Sequence, residues 1–173
     1  NRCKIRIYKL YYGGLLMKKV YIFNQNHMDL LWLRCFEEHF YEDGHIVRPY
    51  VDIEESLLDR WIDIVKNSDS KYSIEQTSTV KKYLERNPDK TELFKELVQN
   101  GKIEIMGGGE AIVDSNLPCG ESIVRNHLYS ILWCDRQFGV RPKINTSCDI
   151  FGLSAQLPQI MRKLEYNTIA NYS

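Results

Sequence analysis

The sequence has no excess of charge of either sign. Its 173 residues include 23 lysines and arginines against 23 aspartates and glutamates, so the formal net charge at pH 7 is +0. Proteins that bind nucleic acid or anionic surfaces through their charge carry a basic patch or a positive net charge. We therefore expect no nucleic-acid partner.

Long hydrophobic runs are also missing. No apolar stretch approaches the ~20 residues that a membrane-spanning helix requires, so we expect no membrane association. The first sixteen residues are basic and rich in tyrosine, and they lack the long apolar centre of a secretory signal. We interpret residues 1–16 as an N-terminal appendage that precedes a natural start at Met17.

Paired cysteines are absent as well. The five cysteines are an odd number, they are widely spread, and no two of them form a C-x-x-C motif. This pattern argues against a disulfide framework and against a cysteine zinc site. Together with the lack of a signal segment, it predicts a cytoplasmic protein.

The sequence does contain short β-rich runs that alternate with amphipathic helical stretches. Its composition, 43% hydrophobic and 27% charged, is typical of a globular domain. Strands are predicted at Lys18–Asn24, Lys71–Glu75, Lys102–Met106, Lys143–Ser147 and Asn167–Asn171. Helices are predicted at Ile53–Lys66, on both sides of Asn87-Pro88, at Glu121–Phe138 and at Ala155–Glu165. We expect Asp52 with Glu55 to cap the first helix and Ser154 to cap the last.

Strands that alternate with helices through short connections indicate parallel β/α units, in which function collects at the carboxyl ends of the strands. Chemically capable side chains stand at these ends. They are His27, Asp29 and Trp32 after the first strand, Glu75 and Gln76 at the second, Glu110 and Asp114 after the third, and Asp149 after the fourth. His27 and Asp29 are two positions apart, so they point to the same side, and both are suitable zinc donors.

Each of these residues also has a structural interpretation. The H-x-D pattern is short and frequent, and His27 with Asp29 could be ordinary loop residues. Trp32, beside three leucines, is either a core residue or a platform that stacks on a sugar ring. Asp149 is either a loop aspartate bonded to nearby amides or a carboxylate free to bind a metal or to attack as a nucleophile.

Four motifs, in this order along the chain, resemble those of the N-terminal catalytic domain of the glycoside hydrolase family 38 α-mannosidases. They are H-M-D-L-L-W at 27–32, G-K-I-E-I-M-G-G at 101–108, D-S-N-L-P-C-G-E-S at 114–122 and D-I-F-G-L-S-A-Q-L-P-Q-I at 149–160. The resemblance runs from about Val20 to the end of the chain, and the last motif is the strongest.

The family fold is a seven-stranded β/α barrel, so the resemblance implies an α/β fold in which residues 17–173 form the N-terminal part of such a barrel. It implies an enzyme that hydrolyses terminal α-mannosides with retention and depends on zinc or another divalent metal. By resemblance His27, Asp29 and Asp149 are metal ligands, Asp149 is also the catalytic nucleophile, and Trp32 and Asp114 lie at the substrate. The resemblance implies a glycan substrate as partner, and homo-oligomer formation by the full-length protein is a further expectation that the sequence itself does not determine.

The sequence departs from the family at two points. The family commonly has a second histidine two positions before its metal histidine, where this sequence has Gln25. The family's last zinc histidine and its acid/base carboxylate come from later in the chain, and no histidine follows His127. We therefore expect both groups after residue 173, in an enzyme of which this chain is a truncated part that by itself lacks a complete active site.

Two other functions remain as alternatives at this point. One is a non-catalytic sugar-binding remnant, which a histidine and an acidic residue in further β/α units would exclude. The other is a different metal-dependent carbohydrate hydrolase, such as a polysaccharide deacetylase, which usually requires an additional pair of histidines.

Overall fold

The protein is organised around parallel strands. The computed structural model describes residues 6–8, 11–12, 15–16, 20–22 and 24–172. A three-stranded parallel sheet contains, in spatial order, β5 (Asn24–Gln25), β8 (Tyr72–Gln76) and β9 (Ile103–Gly109). The strands β10 (Ile144–Cys148) and β11 (Thr168–Tyr172) form a second parallel pair. The side-chain amide of Asn145 donates to the carbonyl of Gly107 at 2.9 Å, so β10 lies beside β9.

Helices connect each parallel strand to the next, and the result is a mixed α/β fold. Their bounds are α1 (Tyr50–Asn67), α2 (Thr77–Arg86), a 3₁₀ turn (Pro88–Lys90), α3 (Thr91–Gln99), α4 (Gly120–Phe138) and α5 (Leu157–Lys163). Helix α1 shows how the sequence directs this packing. Its buried residues recur every three or four positions, which places them on one face of the helix: Val51, Glu54, Leu58, Ile62 and Val65.

Short antiparallel pairs precede the parallel sheet or interrupt it. Strand β1 (Arg6–Tyr8) pairs with β4 (Val20–Ile22), and β2 (Tyr11–Tyr12) pairs with β3 (Leu15–Leu16). Strands β6 (Phe40–Glu42) and β7 (His45–Val47) form a hairpin in the long loop before α1. No helix in the described part of the chain is long and apolar enough to span a membrane.

The main hydrophobic core lies between the sheet and the first four helices. Tyr72, Phe94 and Phe138 are fully buried there. The ring centroids of Phe94 and Phe138 lie 5.7 Å apart, a normal distance for packed aromatic rings. A smaller cluster around Met161 and Tyr166 joins α4 to α5. The two clusters together hold the strands that carry the candidate site.

The predictions for strands two to five and for the helices are confirmed to within two residues at most ends. Helix α4 ends at Phe138, and Gly139 adopts the left-handed conformation with a φ of 68°. The first predicted strand is wrong as a single element. Its residues 20–22 belong to the antiparallel pair, and Asn24 begins the parallel strand. Lys18, Lys19 and Phe23 lie outside the described residues.

The two predicted helix caps are also wrong. Pro49 is the N-cap of α1, and the first amides of this helix donate to the carbonyls of Cys35 and Phe36, so no side-chain cap is needed. Helix α5 begins only at Leu157, after Gln156. The described residues do not form the closed seven-stranded barrel that the resemblance implies, because their sheets contain two or three strands each.

Candidate active site

A cleft of about 350 Å³ opens at the carboxyl ends of the parallel strands. Four of the predicted site residues line it: His27, Asp29, Asp114 and Asp149. They come from the loops after β5, β9 and β10, and Gln76 at the end of β8 completes the wall. Another cavity, of about 250 Å³, opens where β9 and β10 begin, and none of the predicted site residues lines it.

His27 lies at the centre of the cleft and contacts three carboxylates. Its Nδ1 atom is 2.6 Å from Oε1 of Glu75, whose side chain is almost fully buried. Its Nε2 atom faces the opposite way and lies 3.4 Å from Oδ1 of Asp29 and 3.9 Å from Oδ2 of Asp149. An ionised Glu75 can only accept a hydrogen bond; in the tautomer with the proton on Nδ1, His27 donates to Glu75 and presents the lone pair of Nε2 to the two aspartates.

Glu75 is held on both of its oxygens. Oε2 accepts a hydrogen bond from Nε2 of Gln25 at 2.8 Å, while Oε1 contacts His27. Burial raises the pKa of Glu75, and the nearby His27 and the hydrogen bonds from His27 and Gln25 act in the opposite direction. The carboxylate is therefore fixed between two neighbouring strands and directed at the imidazole ring.

Asp149 directly follows β10 in a conformation that a non-glycine residue rarely adopts. Its φ is 53°, in the left-handed region, which aspartate tolerates better than most residues. Its side chain is 75% exposed on the cleft side. The turn thus directs an accessible carboxylate toward the Nε2 atom of His27.

Two distances from Nε2 of His27 are close to those expected between ligands of one divalent metal ion. Zinc binds imidazole nitrogen and carboxylate oxygen at ~2.0–2.2 Å, so two donors on a tetrahedral ion lie roughly 3.3–3.6 Å apart. The 3.4 Å separation between His27 and Asp29 lies in this range, and the 3.9 Å separation between His27 and Asp149 slightly exceeds it. Both distances are too long for a good hydrogen bond, which leaves the donor atoms available.

A second group of potential donors overlaps the first. Donor atoms of His27, Glu75 and Cys148 lie within 4.8 Å of one another. In this group Glu75 already engages Nδ1 of His27, and burial raises the pKa of the Cys148 thiol, away from the thiolate form that binds metals. Among the described residues, His27, Asp29 and Asp149 are not a group whose three donor atoms all lie within 4.8 Å of one another, so this set stays the one that the sequence motifs imply.

Asp114 connects two loops of the cleft. Its Oδ1 accepts a hydrogen bond from the backbone amide of Phe151 at 2.6 Å, two residues beyond Asp149. Next to it, Oγ of Ser115 accepts from the amide of Ser154 at 2.7 Å. Asp114 is thus at the cleft as predicted, and its observed contact is with the loop that carries Asp149.

Trp32 is not part of the cleft wall among the described residues. Its side chain is 71% exposed, between Leu31 and Leu33, which are also exposed. The core interpretation of Trp32 is therefore wrong for this structure. Glu110, another strand-end residue, forms an ion pair with Lys81.

Two further residues contribute to the site, and no role was predicted from the sequence for either of them. Gln76 donates through Nε2 to the carbonyl of Met28 and accepts through Oε1 from the amide of Ile112 at 3.3 Å. It thereby joins the loops after β5 and β9. Phe151 lines the cleft while 93% exposed. The sequence signal for Gln76 was its place at a strand end, and the signal for Gln25 was its position where the family commonly has a second histidine.

The glycine run at the end of β9 allows a close backbone approach. A side chain at Gly107 would overlap the carbonyl group of Glu75 on β8. Gly108 has a φ of 67° and its carbonyl accepts from the hydroxyl of Tyr166 at 2.8 Å. The absence of side chains here thus brings β9 against the strand that holds Glu75.

The chain is similar to several known proteins. Alpha-mannosidase G of Dictyostelium discoideum is 30% identical over 146 residues, which are 84% of this chain and 12% of that protein. An alpha-mannosidase of Saccharomyces cerevisiae is 28% identical over 171 residues, 91% of this chain and 15% of that protein. The crystal structure of an alpha-mannosidase from Enterococcus faecalis V583 aligns with a TM-score of 0.71 and 26% identity, covering 86% of this chain and 16% of that one.

The chain therefore spans less than a fifth of the length of these relatives. The sequence model for the N-terminal domain of glycosyl hydrolases family 38 matches residues 17–171. Because this match extends over most of the chain, the chain belongs to glycosyl hydrolase family 38.

Proposed function

We propose that this chain is the part of a metal-dependent α-mannosidase-like glycoside hydrolase that carries the catalytic nucleophile and three metal ligands. The observation that carries the proposal is the arrangement at His27. Its Nδ1 contacts the buried Glu75, and its Nε2 faces Asp29 at 3.4 Å and Asp149 at 3.9 Å. Family membership and the similarity to alpha-mannosidases supply the reaction and the substrate class, a glycan with terminal α-mannose.

The same reasoning extends to the architecture. We propose that the parallel strands β5 and β8–β11 belong to a seven-stranded β/α barrel, and that residues 1–16 are an appendage to the domain that begins at Met17. The parallel order of β5, β8 and β9 and the position of β10 beside β9 support the barrel. Cytoplasmic placement and homo-oligomer formation stay predictions from the sequence.

In the proposed reaction Asp149 is the nucleophile. One of its carboxylate oxygens attacks the anomeric carbon, and the bond from that carbon to the glycosidic oxygen breaks as a general acid gives this oxygen a proton. Water then hydrolyses the mannosyl ester of Asp149, so the sugar leaves with its original configuration. A divalent ion held by His27, Asp29 and Asp149 supplies, when bound, a positive charge that orients and polarises the sugar hydroxyls.

The positions of the histidines favour this function over a deacetylase. All four histidines are among the described residues. His39 lies 3.4 Å from Asp52, His45 is in the β6–β7 hairpin, and His127 is buried on α4 against Tyr166. His27 alone lines the cleft, whereas deacetylase chemistry usually requires an additional pair of histidines near the metal.

The nucleophile assignment is tested with an aryl α-mannoside and the protein in its natural length. We expect Asp149→Asn to lower kcat/KM at least about a thousandfold, which corresponds to about 4 kcal/mol of transition-state stabilisation. The amide lacks the charge that attacks the anomeric carbon, so no mannosyl ester forms. The measurement is the initial rate of phenol release, followed by mass spectrometry of the enzyme.

The exposed Asp69 provides a matched control, since Asp69→Asn makes the same chemical change far from the cleft. Its activity should equal that of the wild type. If Asp149→Asn also keeps wild-type activity, Asp149 is not the nucleophile. If the wild type itself does not turn over the mannoside, the sugar-binding remnant is the better description.

A further inference from the structure

Gln25, Glu75 and His27 form a continuous row of side-chain contacts behind the proposed metal position. Nε2 of Gln25 donates to Oε2 of Glu75 at 2.8 Å, and Oε1 of Glu75 contacts Nδ1 of His27 at 2.6 Å. Gln25 occupies the position where the family commonly has a second histidine. The row lies opposite to the side of the imidazole that faces Asp29 and Asp149.

We propose that Gln25 and Glu75 are positioning residues, which together hold the ring of His27 so that its Nε2 atom points at the metal. This inference rests on the proposed function, because it assumes that His27 is a metal ligand. It goes further in assigning a purpose to two residues that touch neither the proposed metal nor the substrate.

The row is rigid because the sheet fixes two of its members, Gln25 and Glu75. Gln25 stands opposite Ser73 in the parallel pair of β5 and β8, and Glu75 lies two residues along β8. The side chain of Glu75 is 2% exposed and both of its oxygens are engaged. A carboxylate that is held at both oxygens cannot rotate without breaking a charge-assisted hydrogen bond.

The residues on either side of His27 are held as well. The side-chain amide of Asn26 donates through Nδ2 to Oε2 of Glu54 at 2.8 Å, and its Oδ1 accepts from the hydroxyl of Tyr72. After His27, the carbonyl of Met28 accepts from the side chain of Gln76. The remaining freedom of His27 is therefore rotation of its ring, which is the freedom that the contact with Glu75 removes.

The choice of glutamine at position 25 has a physical reason. A side-chain amide always carries donor hydrogens, so Gln25 can satisfy Oε2 of Glu75 in every state of the site. A neutral histidine has a single ring N–H and donates in only one tautomer and ring orientation. Carboxylates that hold the second nitrogen of a ligand histidine commonly contribute about 10–100-fold to metal affinity.

The test measures the affinity of the purified protein for Zn²⁺ by competition with a chromophoric chelator. We expect Glu75→Ala to weaken Zn²⁺ binding about 10–100-fold and Gln25→Leu to weaken it severalfold. Gln25→His, which retains a donor, should stay close to the wild type. Glu104→Gln on β9, away from the cleft, is the matched control and should bind Zn²⁺ like the wild type.

A second measurement needs no metal and separates positioning from general stability. The ¹⁵N shifts of the His27 imidazole should report a protonated Nδ1 in the wild type and a mixture of tautomers in Glu75→Ala. Thermal unfolding shows whether Glu75→Ala folds. If it does not fold, Glu75→Gln is used in its place, because glutamine retains an acceptor at the same position. Glu75→Gln should keep the proton on Nδ1 of His27 and bind Zn²⁺ with reduced affinity.

The outcomes distinguish the inference from the proposed function. If His27→Ala abolishes Zn²⁺ binding while the Glu75 and Gln25 variants bind like the wild type, the positioning role is refuted and the metal site stands. If His27→Ala binds Zn²⁺ as tightly as the wild type, the metal site of the proposed function is refuted first, and the positioning role with it.

Discussion

Glu54 is an acid buried on α1, with 2% exposure. Its Oε2 accepts a hydrogen bond from Asn26 at 2.8 Å, and burial raises its pKa to about 7. The folded protein therefore keeps a proton that the unfolded chain releases above the ordinary pKa of 4.5. The resulting contribution to stability is complete below about pH 4.5, and it is lost as the pH rises through 7.

We expect Glu54→Gln to remove this pH dependence. Glutamine resembles the protonated acid and retains a carbonyl oxygen for Asn26. At pH 8 the variant should be more stable than the wild type by about 1–3 kcal/mol, from about 1.4 kcal/mol per unit of pKa difference. Urea unfolding between pH 5 and pH 8 measures the difference, with the exposed Glu96→Gln as control. An equal loss of stability in Glu54→Gln and the wild type as the pH rises would contradict the assignment.

Among the elements of the molecule, the loops after β9 and β10 depend on each other. Oδ1 of Asp114 accepts from the amide of Phe151, and this contact stabilises the turn in which Asp149 has a φ of 53°. A hydrogen bond to a charged group typically contributes about 1.5–3 kcal/mol. Asp114 therefore helps to maintain the direction of the Asp149 carboxylate.

We predict that Asp114→Ala releases the loop that follows β10. The amide of Phe151 should then exchange with solvent about tenfold faster or more, because its acceptor is gone. Asp114→Asn keeps an oxygen in place and should exchange much more slowly than Asp114→Ala. Hydrogen exchange followed by NMR makes the comparison. Unchanged exchange in Asp114→Ala would mean that other contacts hold this loop.

The elements themselves were largely predictable, because strands β8 to β11 and their helices have strong local patterns. The first strand was not predictable as a single element. In the apolar segment before His27, residues 20–22 pair with an antiparallel strand and residues 24–25 pair with a parallel one. At the site, the sequence placed His27, Asp29, Asp114 and Asp149 at strand ends. It could not reveal that Glu75 binds His27 across 48 positions, because such pairing depends on the neighbouring strand and not on spacing.

At the scale of the whole molecule, the stability of the sheet depends on position 107 being a glycine, which has no side chain to separate β9 from β8. We predict that Gly107→Ala forces β9 away from β8 and destabilises the protein by about 1–3 kcal/mol or more, as overpacking does. Thermal unfolding tests this prediction.

Gly120, the first residue of α4, is the matched control, because a methyl group there meets nothing within 4 Å. Gly120→Ala should leave the midpoint of unfolding unchanged or raise it, since alanine favours helix more than glycine by up to about 1 kcal/mol. Equal midpoints for the two variants would show that β8 and β9 have room to separate.

The parallel pairing of the sheet has a consequence for the order in which the protein folds. The partners at the site are far apart in the chain, with 50 positions between Gln25 and Glu75 and 37 between Asp114 and Phe151. Contacts between residues so far apart in the sequence form only after long loops close. Loop closure costs conformational entropy before the contacts supply any compensating free energy. During synthesis, a chain that has reached Phe138 already contains His27 and Glu75 but not Asp149. The hydrophobic core can therefore begin to assemble before the proposed metal ligands meet.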